Sequence, residues 1–200
     1  AKDIPYFISK ILFNTGQYDT LVNYLEPILD SSKYNYYTDL VLLQAQSCYQ
    51  LENFDPAIAY FEEYKDLKDT LTLSQIYQIG FSYYQKGLYG FATDHLNKIL
   101  TSNNDSILQY AFYYLADCYR KSNKHNEAMN AFRSASLLSV DSLIQHDASY
   151  QFTLLCYEQD NPLYNPINCL SDFIDNYPNS KYIDEVYSCL ANIHLNSLNY

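Results

Sequence analysis

A helix-stop-and-ring signature recurs along the chain at intervals of 35 or 36 residues, and it limits the possible folds more than any other feature. Leu12-Phe13-Asn14-Thr15-Gly16-Gln17-Tyr18-Asp19 is its first copy. Cys48-Tyr49-Gln50-Leu51-Glu52-Asn53-Phe54-Asp55, Tyr83-Tyr84-Gln85-Lys86-Gly87-Leu88-Tyr89-Gly90 and Tyr119-Arg120-Lys121-Ser122-Asn123-Lys124-His125-Asn126 follow. Each reads as a helix end, a Gly or Asn suited to the left-handed residue that closes a helix, and a ring that opens the next one. Tyr18, Phe54, Tyr89 and His125 stand 36, 35 and 36 residues apart, with weaker copies at Leu163 and Tyr200. A unit of that length is one helical hairpin, too small to bury its apolar face alone, so copies stack.

Small residues recur in phase with the rings. Ala57, Ala92 and Ala128 stand three places after them, with Leu21 and Pro166 in the outer copies. Ser9, Ala45, Gly80, Ala116 and Ala191 stand nine places before them, and Leu154 breaks the series. Small residues facing each other let two helix axes approach, so larger neighbours interlock around them. Four residues after the second-helix alanine comes an apolar knob, Phe61, Leu96 or Phe132, with Leu25 and Leu170 matching. Thr72…Gln75, Ser106…Gln109 and Ser142…Gln145 fit the Ser/Thr-x-x-Gln capping box in three successive units. The pattern predicts eleven helices, at about 4–15, 19–30, 36–51, 55–67, 72–86, 89–101, 106–122, 125–138, 142–159, 164–176 and 181–197. No segment alternates with period two, so no strand is expected.

Gly16-Gln17-Tyr18-Asp19, Asn53-Phe54-Asp55-Pro56-Ala57-Ile58-Ala59-Tyr60-Phe61 and Tyr83-Tyr84-Gln85-Lys86-Gly87-Leu88-Tyr89-Gly90-Phe91-Ala92 resemble tetratricopeptide repeats. The resemblance implies an all-α, right-handed α-solenoid of antiparallel hairpins, with about five and a half repeats in a single domain over 1–200. The segment from Asp172 to Val186 is similar to bacterial periplasmic repeat proteins, among them outer-membrane assembly lipoproteins and the Tol-Pal-associated protein. An envelope location is expected on that ground, with the cytoplasm as the alternative. Residues 197–200 read as the turn of a sixth hairpin lacking its second helix, as in a fragment of a longer repeat protein. Val186, Leu190, Ile193 and Ser197 are then expected to form an uncapped stripe through which copies could self-associate.

In such solenoids the first helix of each hairpin lines the concave side. The resemblance thus implies a groove built from Tyr6, Lys10 and Phe13; Leu42, Gln46 and Tyr49; Tyr77, Phe81 and Tyr84; and Tyr113, Asp117 and Arg120. Each triplet follows i, i+4, i+7 and so occupies one helix face. A ring-rich groove can bury apolar anchors of a partner while its phenol tips stay wet. The expected function is a non-enzymatic scaffold for another protein. A glycan-binding envelope module, stacking sugars on rings beside Tyr113, Asp117 and Arg120, and a structural self-assembly module are the alternatives. The Lys and Asn pairs with which chaperone-binding members grip a terminal carboxylate are missing, only Lys10 being cationic among the matching positions.

Charge and chemistry narrow the classes further. Twelve Lys and Arg against 23 Asp and Glu give a net charge of −11, which disfavours nucleic acid and sets aside an RNA-reading helical solenoid. No apolar run approaches the ~18 residues of a membrane span. His95, His125, His146 and His194 fall at unrelated repeat positions, and no nucleophile, metal or phosphate-loop motif is present. No enzyme activity, cofactor or metal is expected. Cys48, Cys118, Cys156, Cys169 and Cys189 lack metal-ligand spacing and read as buried free thiols. The 24 tyrosines, against 10 Phe and no Trp, remain the compositional anomaly to be explained.

Overall fold

The computed structural model describes residues 3–29, 34–159 and 161–198. Among them are eleven α-helices and no strand. They are α1 (Ile4–Asn14), α2 (Tyr18–Leu29), α3 (Tyr37–Gln50), α4 (Phe54–Leu67), α5 (Leu73–Gln85), α6 (Tyr89–Leu96), α7 (Asp105–Lys121), α8 (His125–Ser136), α9 (Ser142–Glu158), α10 (Pro166–Asn176) and α11 (Ile183–Leu198). A short 3₁₀ turn, Asn97–Ile99, replaces the last turn expected of α6. The chain divides into two compact units, Ala1–Lys98 with α1–α6 and Ile99–Tyr200 with α7–α11.

The hairpin turns share one construction. Gly16, Glu52, Gly87 and Asn123 all hold positive φ, between 58° and 72°. The next residue's N–H (Gln17, Asn53, Leu88, Lys124) reaches back to the carbonyl of Leu12, Cys48, Tyr83 or Tyr119 at 2.9 Å. This six-to-one bond closes the helix and aims the chain into its return helix. In the second turn the left-handed residue is Glu52 rather than the neighbouring Asn53, a conformation that costs a non-glycine residue about 1 kcal/mol.

Small residues sit where the helices of a hairpin meet. Ala45 and Ala57, Gly80 and Ala92, and Ala116 and Ala128 are all buried. A Cβ on Gly80 would lie 3.0 Å from Leu96 Cγ, so α5 and α6 are in contact there at backbone distance. Around these points the knobs Leu25, Phe61, Leu96 and Phe132 are buried to 1% exposure or less.

Three expectations are corrected. In the fifth repeat the anticipated ring, Leu163, is a loop residue 78% exposed, and α10 begins at Pro166 behind the Asn165 cap. Cys169, Leu170 and Phe173 take the places of Ala128, Met129 and Phe132, 41 residues on, because the loop before α10 is longer than the period allows, so the small residue of α10 is Cys169 rather than Pro166 and its knob is Phe173 rather than Leu170. The small residue of α9 is therefore Thr153, not Leu154. It is 2% exposed and donates its hydroxyl to the Cys169 carbonyl at 3.5 Å.

Second, only Thr72 and Gln75 form a reciprocal capping box. Helices α7 and α9 are capped by Asn104 and Asp141 instead, whose side chains accept two backbone N–H groups each. That leaves Gln109 free to fold inward, where its amide bonds both the N–H and the carbonyl of Asp141. Gln145 likewise reaches the Ser136 carbonyl at 3.1 Å.

Third, Val186, Leu190 and Ile193 are not an uncapped stripe. Val186 is 2% exposed, and all three pack with Tyr150, Leu170 and Phe173 of the hairpin before them. The bare side of α11 carries Tyr187, Ala191 and Leu195. Ser197 and Tyr200 lie outside the residues whose side chains are described.

Candidate protein-binding site

In the first unit the rings of α3 and α5 meet those that open α4 and α6. Phe81 is the hub. Its ring centroid lies 5.9 Å from both Tyr49 and Tyr77, 6.0 Å from Phe54 and 6.1 Å from Tyr84. Tyr49 also touches Phe54, and Tyr84 touches Tyr89, each at 6.2 Å. Most of these pairs are edge-on or tilted, the arrangements that ring quadrupoles favour. All six rings are half-buried. They rest on one another yet keep part of each face in solvent.

Helix geometry explains why the six converge. Tyr77, Phe81 and Tyr84 stand at i, i+4, i+7 on α5, and Tyr49 is the last such position of α3. The tight turns then place the opening rings of α4 and α6 beside those faces. Gln46 of α3 donates its amide to Gln78 of α5 at 3.1 Å, a polar contact one helical turn before Tyr49 and Phe81. The i, i+4, i+7 rule therefore picks out four of the six rings. It misses Phe54 and Tyr89, whose role as repeat punctuation conceals that they also contribute surface.

Tyr6, Lys10 and Phe13 form contacts of their own on α1. Tyr6 stacks on Tyr36 at 4.5 Å, with the Lys10 ammonium 5.4 Å above its ring, and Phe13 meets Tyr18 edge-on. Tyr113, Asp117 and Arg120 lie in the second unit and engage intramolecular partners. The Tyr113 hydroxyl donates to Asp147 at 2.6 Å, and its ring lies against Phe132. Asp117, 7% exposed, accepts two bonds from Arg120 one turn along α7.

Tyr113 belongs to a wider pattern. Tyr37 donates to Glu63 at 2.7 Å, Tyr83 to Glu62 at 3.1 Å, Tyr110 to Asp141 at 2.7 Å, Tyr150 to Glu185 at 2.6 Å and Tyr182 to Asp147 at 2.9 Å. Each bond ties one helix to another element of the same unit. A phenol buries its ring in the seam between helices and satisfies a carboxylate at the rim. Six of the 24 tyrosines and five of the 23 acidic residues are engaged in this way. Burial and the carboxylate push Tyr83 up to about 12 and hold Tyr113 and Tyr150 well above the ordinary phenol range. Burial raises Glu62, but the Lys65 ammonium and the Tyr83 hydroxyl outweigh it and hold the carboxyl below its ordinary range.

All five cysteines are free and buried, and burial pushes Cys48 up to about 11. His95 is 7% exposed with Nδ1 at 2.9 Å from the Phe91 carbonyl, and its pKa is lowered by burial. His146 lies among Phe173, Tyr177 and Tyr182, with Nε2 2.8 Å from the Ser180 hydroxyl. Among the described residues no helix is long and apolar enough to cross a membrane. Sequence reasoning did not anticipate a cleft of about 390 Å³ in the second unit, walled by α8 and α10 and floored by Phe152 and Thr153 of α9.

The sequence profile of the tetratricopeptide repeat matches residues 110–135, which are most of the α7–α8 hairpin. Known folds superpose over nearly the whole chain. YrrB, described as a TPR protein with an unusual peptide-binding site, aligns with a TM-score of 0.70 at 13% identity, covering 90% of this chain and 88% of its own. The fold is that of a tetratricopeptide-repeat protein. MamA from Desulfovibrio magneticus RS-1 (residue 41 to the end) aligns with a TM-score of 0.66 at 13% identity, over 90% of this repeat chain and 97% of its own. A further MamA structure gives 0.68 at 16% identity, over 88% and 92%. No curated protein matches the sequence. At such identities the tetratricopeptide-repeat architecture is what the chains share, so any site must be argued from this chain's own residues.

Proposed function

We propose that this chain is a non-enzymatic scaffold that holds a segment of another protein against the ring cluster of its first unit. The observation that carries the reading is the contiguity of Tyr49, Phe54, Tyr77, Phe81, Tyr84 and Tyr89, six half-buried rings drawn from four helices. Such a surface offers rigid apolar area with few rotamers to freeze, and the phenol tips and the Gln46–Gln78 pair supply polar contacts at its border. Tyr6, Lys10 and Phe13 on α1 of the same unit extend the contacts available to a longer segment. A net charge of −11 favours partners of opposite sign, so the segment expected is an apolar stretch flanked by Lys or Arg. Tyr113, Asp117 and Arg120, assigned to the same role on the sequence, belong to it only to the extent that a partner displaces Asp147 and the Asp117–Arg120 pair. The tetratricopeptide-repeat fold and the peptide-binding site named for YrrB support the class of function.

Panning a random peptide library on the immobilised chain tests this. Peptides with an aromatic or aliphatic anchor beside basic residues should be enriched. Tyr77→Ser combined with Tyr84→Ser should weaken them at least about 30-fold, the equivalent of about 2 kcal/mol for one interface anchor. Peptides that bind the double variant as tightly as the parent would overturn the assignment.

A further inference from the structure

Two of the five free thiols are neighbours in space. Cys156 lies near the end of α9 and Cys169 in the first turns of α10, and both belong to the core cluster of the second unit. Cys169 occupies the position held by Ala57, Ala92 and Ala128 in the earlier return helices, where two helices come closest. Helices α9 and α10 pack directly on each other, and the Thr153 hydroxyl donates to the Cys169 carbonyl at 3.5 Å. Thr153 and Cys156 stand at i, i+3 on α9, so the face that brings Thr153 to α10 brings Cys156 there as well. The two thiols are hydrogen-bonding partners across the hairpin.

The pair is asymmetric in access. Cys169 is 8% exposed and lines the cleft of about 390 Å³ between α8 and α10, with Arg133 on one wall and Asp172 on the other. Cys156 is 1% exposed and lies behind it, its Sγ 4.0 Å from Met129 Sδ. One sulfur therefore faces an opening wide enough for a small molecule, and the second is reached only through the first. Charge is divided in the same sense. The Cys156 thiol holds Cys169 below its ordinary range despite burial, while Cys156 is pushed well above its own by that contact and by burial. The Arg133 guanidinium favours the thiolate form of both. The thiolate is the form of cysteine that attacks.

We propose that Cys169 and Cys156 form a dithiol site that reacts with a small disulfide entering the cleft, Cys169 attacking first and Cys156 resolving. The Cys169 thiolate, its proton given to solvent, attacks one sulfur of R–S–S–R. The S–S bond breaks, RS⁻ leaves, and Cys169 carries a mixed disulfide. The Cys156 thiol passes its proton to the released RS⁻, and its sulfur attacks Cys169 Sγ. The second RS⁻ leaves and takes a proton from solvent. Two protein thiols are thereby oxidised to one disulfide, and R–S–S–R is reduced to two R–SH. The new bond ties α9 to α10 and restricts the unfolded chain, so the oxidised form resists denaturant better than the reduced one. The site lies in the second unit and stands whether or not the ring cluster of the first binds a peptide.

Incubating the folded full chain with glutathione disulfide, blocking residual thiols under denaturing conditions and mapping the peptides by mass spectrometry tests this. A Cys156–Cys169 linkage should form while Cys48, Cys118 and Cys189 stay reduced, and the urea midpoint should rise and return to its starting value with dithiothreitol. Cys156→Ser should stop at glutathione on Cys169. Cys169→Ser should leave Cys156 unmodified, its reaction at least about tenfold slower, since the sheltered sulfur has lost its relay. Both substitutions are small, and circular dichroism establishes that helicity is kept. A parent chain that never forms the linkage overturns the proposal. So does a Cys169→Ser chain whose Cys156 reacts as fast as in the parent. Modification of all five thiols together, at the rate of global unfolding, would also overturn it by showing that the pair is reached only when the fold opens.

Discussion

Replacing Gly80 by alanine asks how tightly two helices of one hairpin are locked. In an isolated helix the change would stabilise by about 1 kcal/mol, because glycine spends more backbone entropy. In α5 the new methyl would stand 3.0 Å from Leu96 Cγ, 3.1 Å from its Cδ2 and 3.3 Å from His95 Cβ. Leu96 is fully buried and His95 is 7% exposed, so neither can swing aside, and overpacking of this kind costs about 1–3 kcal/mol. The net expectation is destabilisation on the order of 1 kcal/mol. Gly90, in the first turn of α6, is the control. It has nothing within 4 Å of a built Cβ, so Gly90→Ala should keep most of the helix gain. The two variants should therefore differ by about 2 kcal/mol, or roughly 4–8 °C in melting midpoint for a chain of this size. Thermal and urea unfolding followed by circular dichroism read both. If Gly80→Ala stabilises as much as Gly90→Ala, the small-residue contacts have slack and the packing argument fails.

Three further outcomes follow from named contacts. Asn104→Ala should cost about 1 kcal/mol by leaving two first-turn amides of α7 without their cap, whereas Ser106→Ala should be nearly neutral, and urea midpoints distinguish the two. The raised phenols stabilise the folded chain in their protonated form. Their contribution is complete below pH 10 and is lost as pH rises through the folded value, about 12 for Tyr83 and higher for Tyr113 and Tyr150. Urea midpoints should therefore fall steeply between pH 10 and 12, and a flat profile would show that the phenol–carboxylate bonds do not form. Glu62, held below its ordinary range, adds stability above pH 4.5 that fades as pH falls, and Tyr83→Phe should shrink that acid-side loss.

The hairpin order, the turn residues and the small-residue contacts of the first four repeats were legible because local rules and tertiary packing agree there. Gly16, Gly87 and Asn123 close helices by their own backbone preferences, and the alanines fall in phase with them. Legibility ended where a long-range partner overrode a local rule. Gln109 looks like half of a capping box, but a bond to Asp141, 32 residues on, draws it inward and leaves capping to Asn104. Leu163 sits at the expected interval, but a longer loop moves the start of α10 to Pro166. In the candidate site, helix periodicity found the rings on α3 and α5. Phe54 and Tyr89 join them only because the turn folds their helices back. The carboxylate partners of the tyrosines lie 21 to 35 residues away in sequence, beyond the reach of any periodic pattern.

The account turns on which tyrosines are surface for a partner and which are bolts within the fold, and fluorine NMR of the chain labelled with 3-fluorotyrosine separates them. Resonances assigned by single Tyr→Phe variants can be followed as a library-selected peptide is added. Tyr49, Tyr77, Tyr84 and Tyr89 should shift, while Tyr110 and Tyr150, bound to Asp141 and Glu185, hold still. Shifts confined to the second set, with the first set unmoved, would contradict the proposed function.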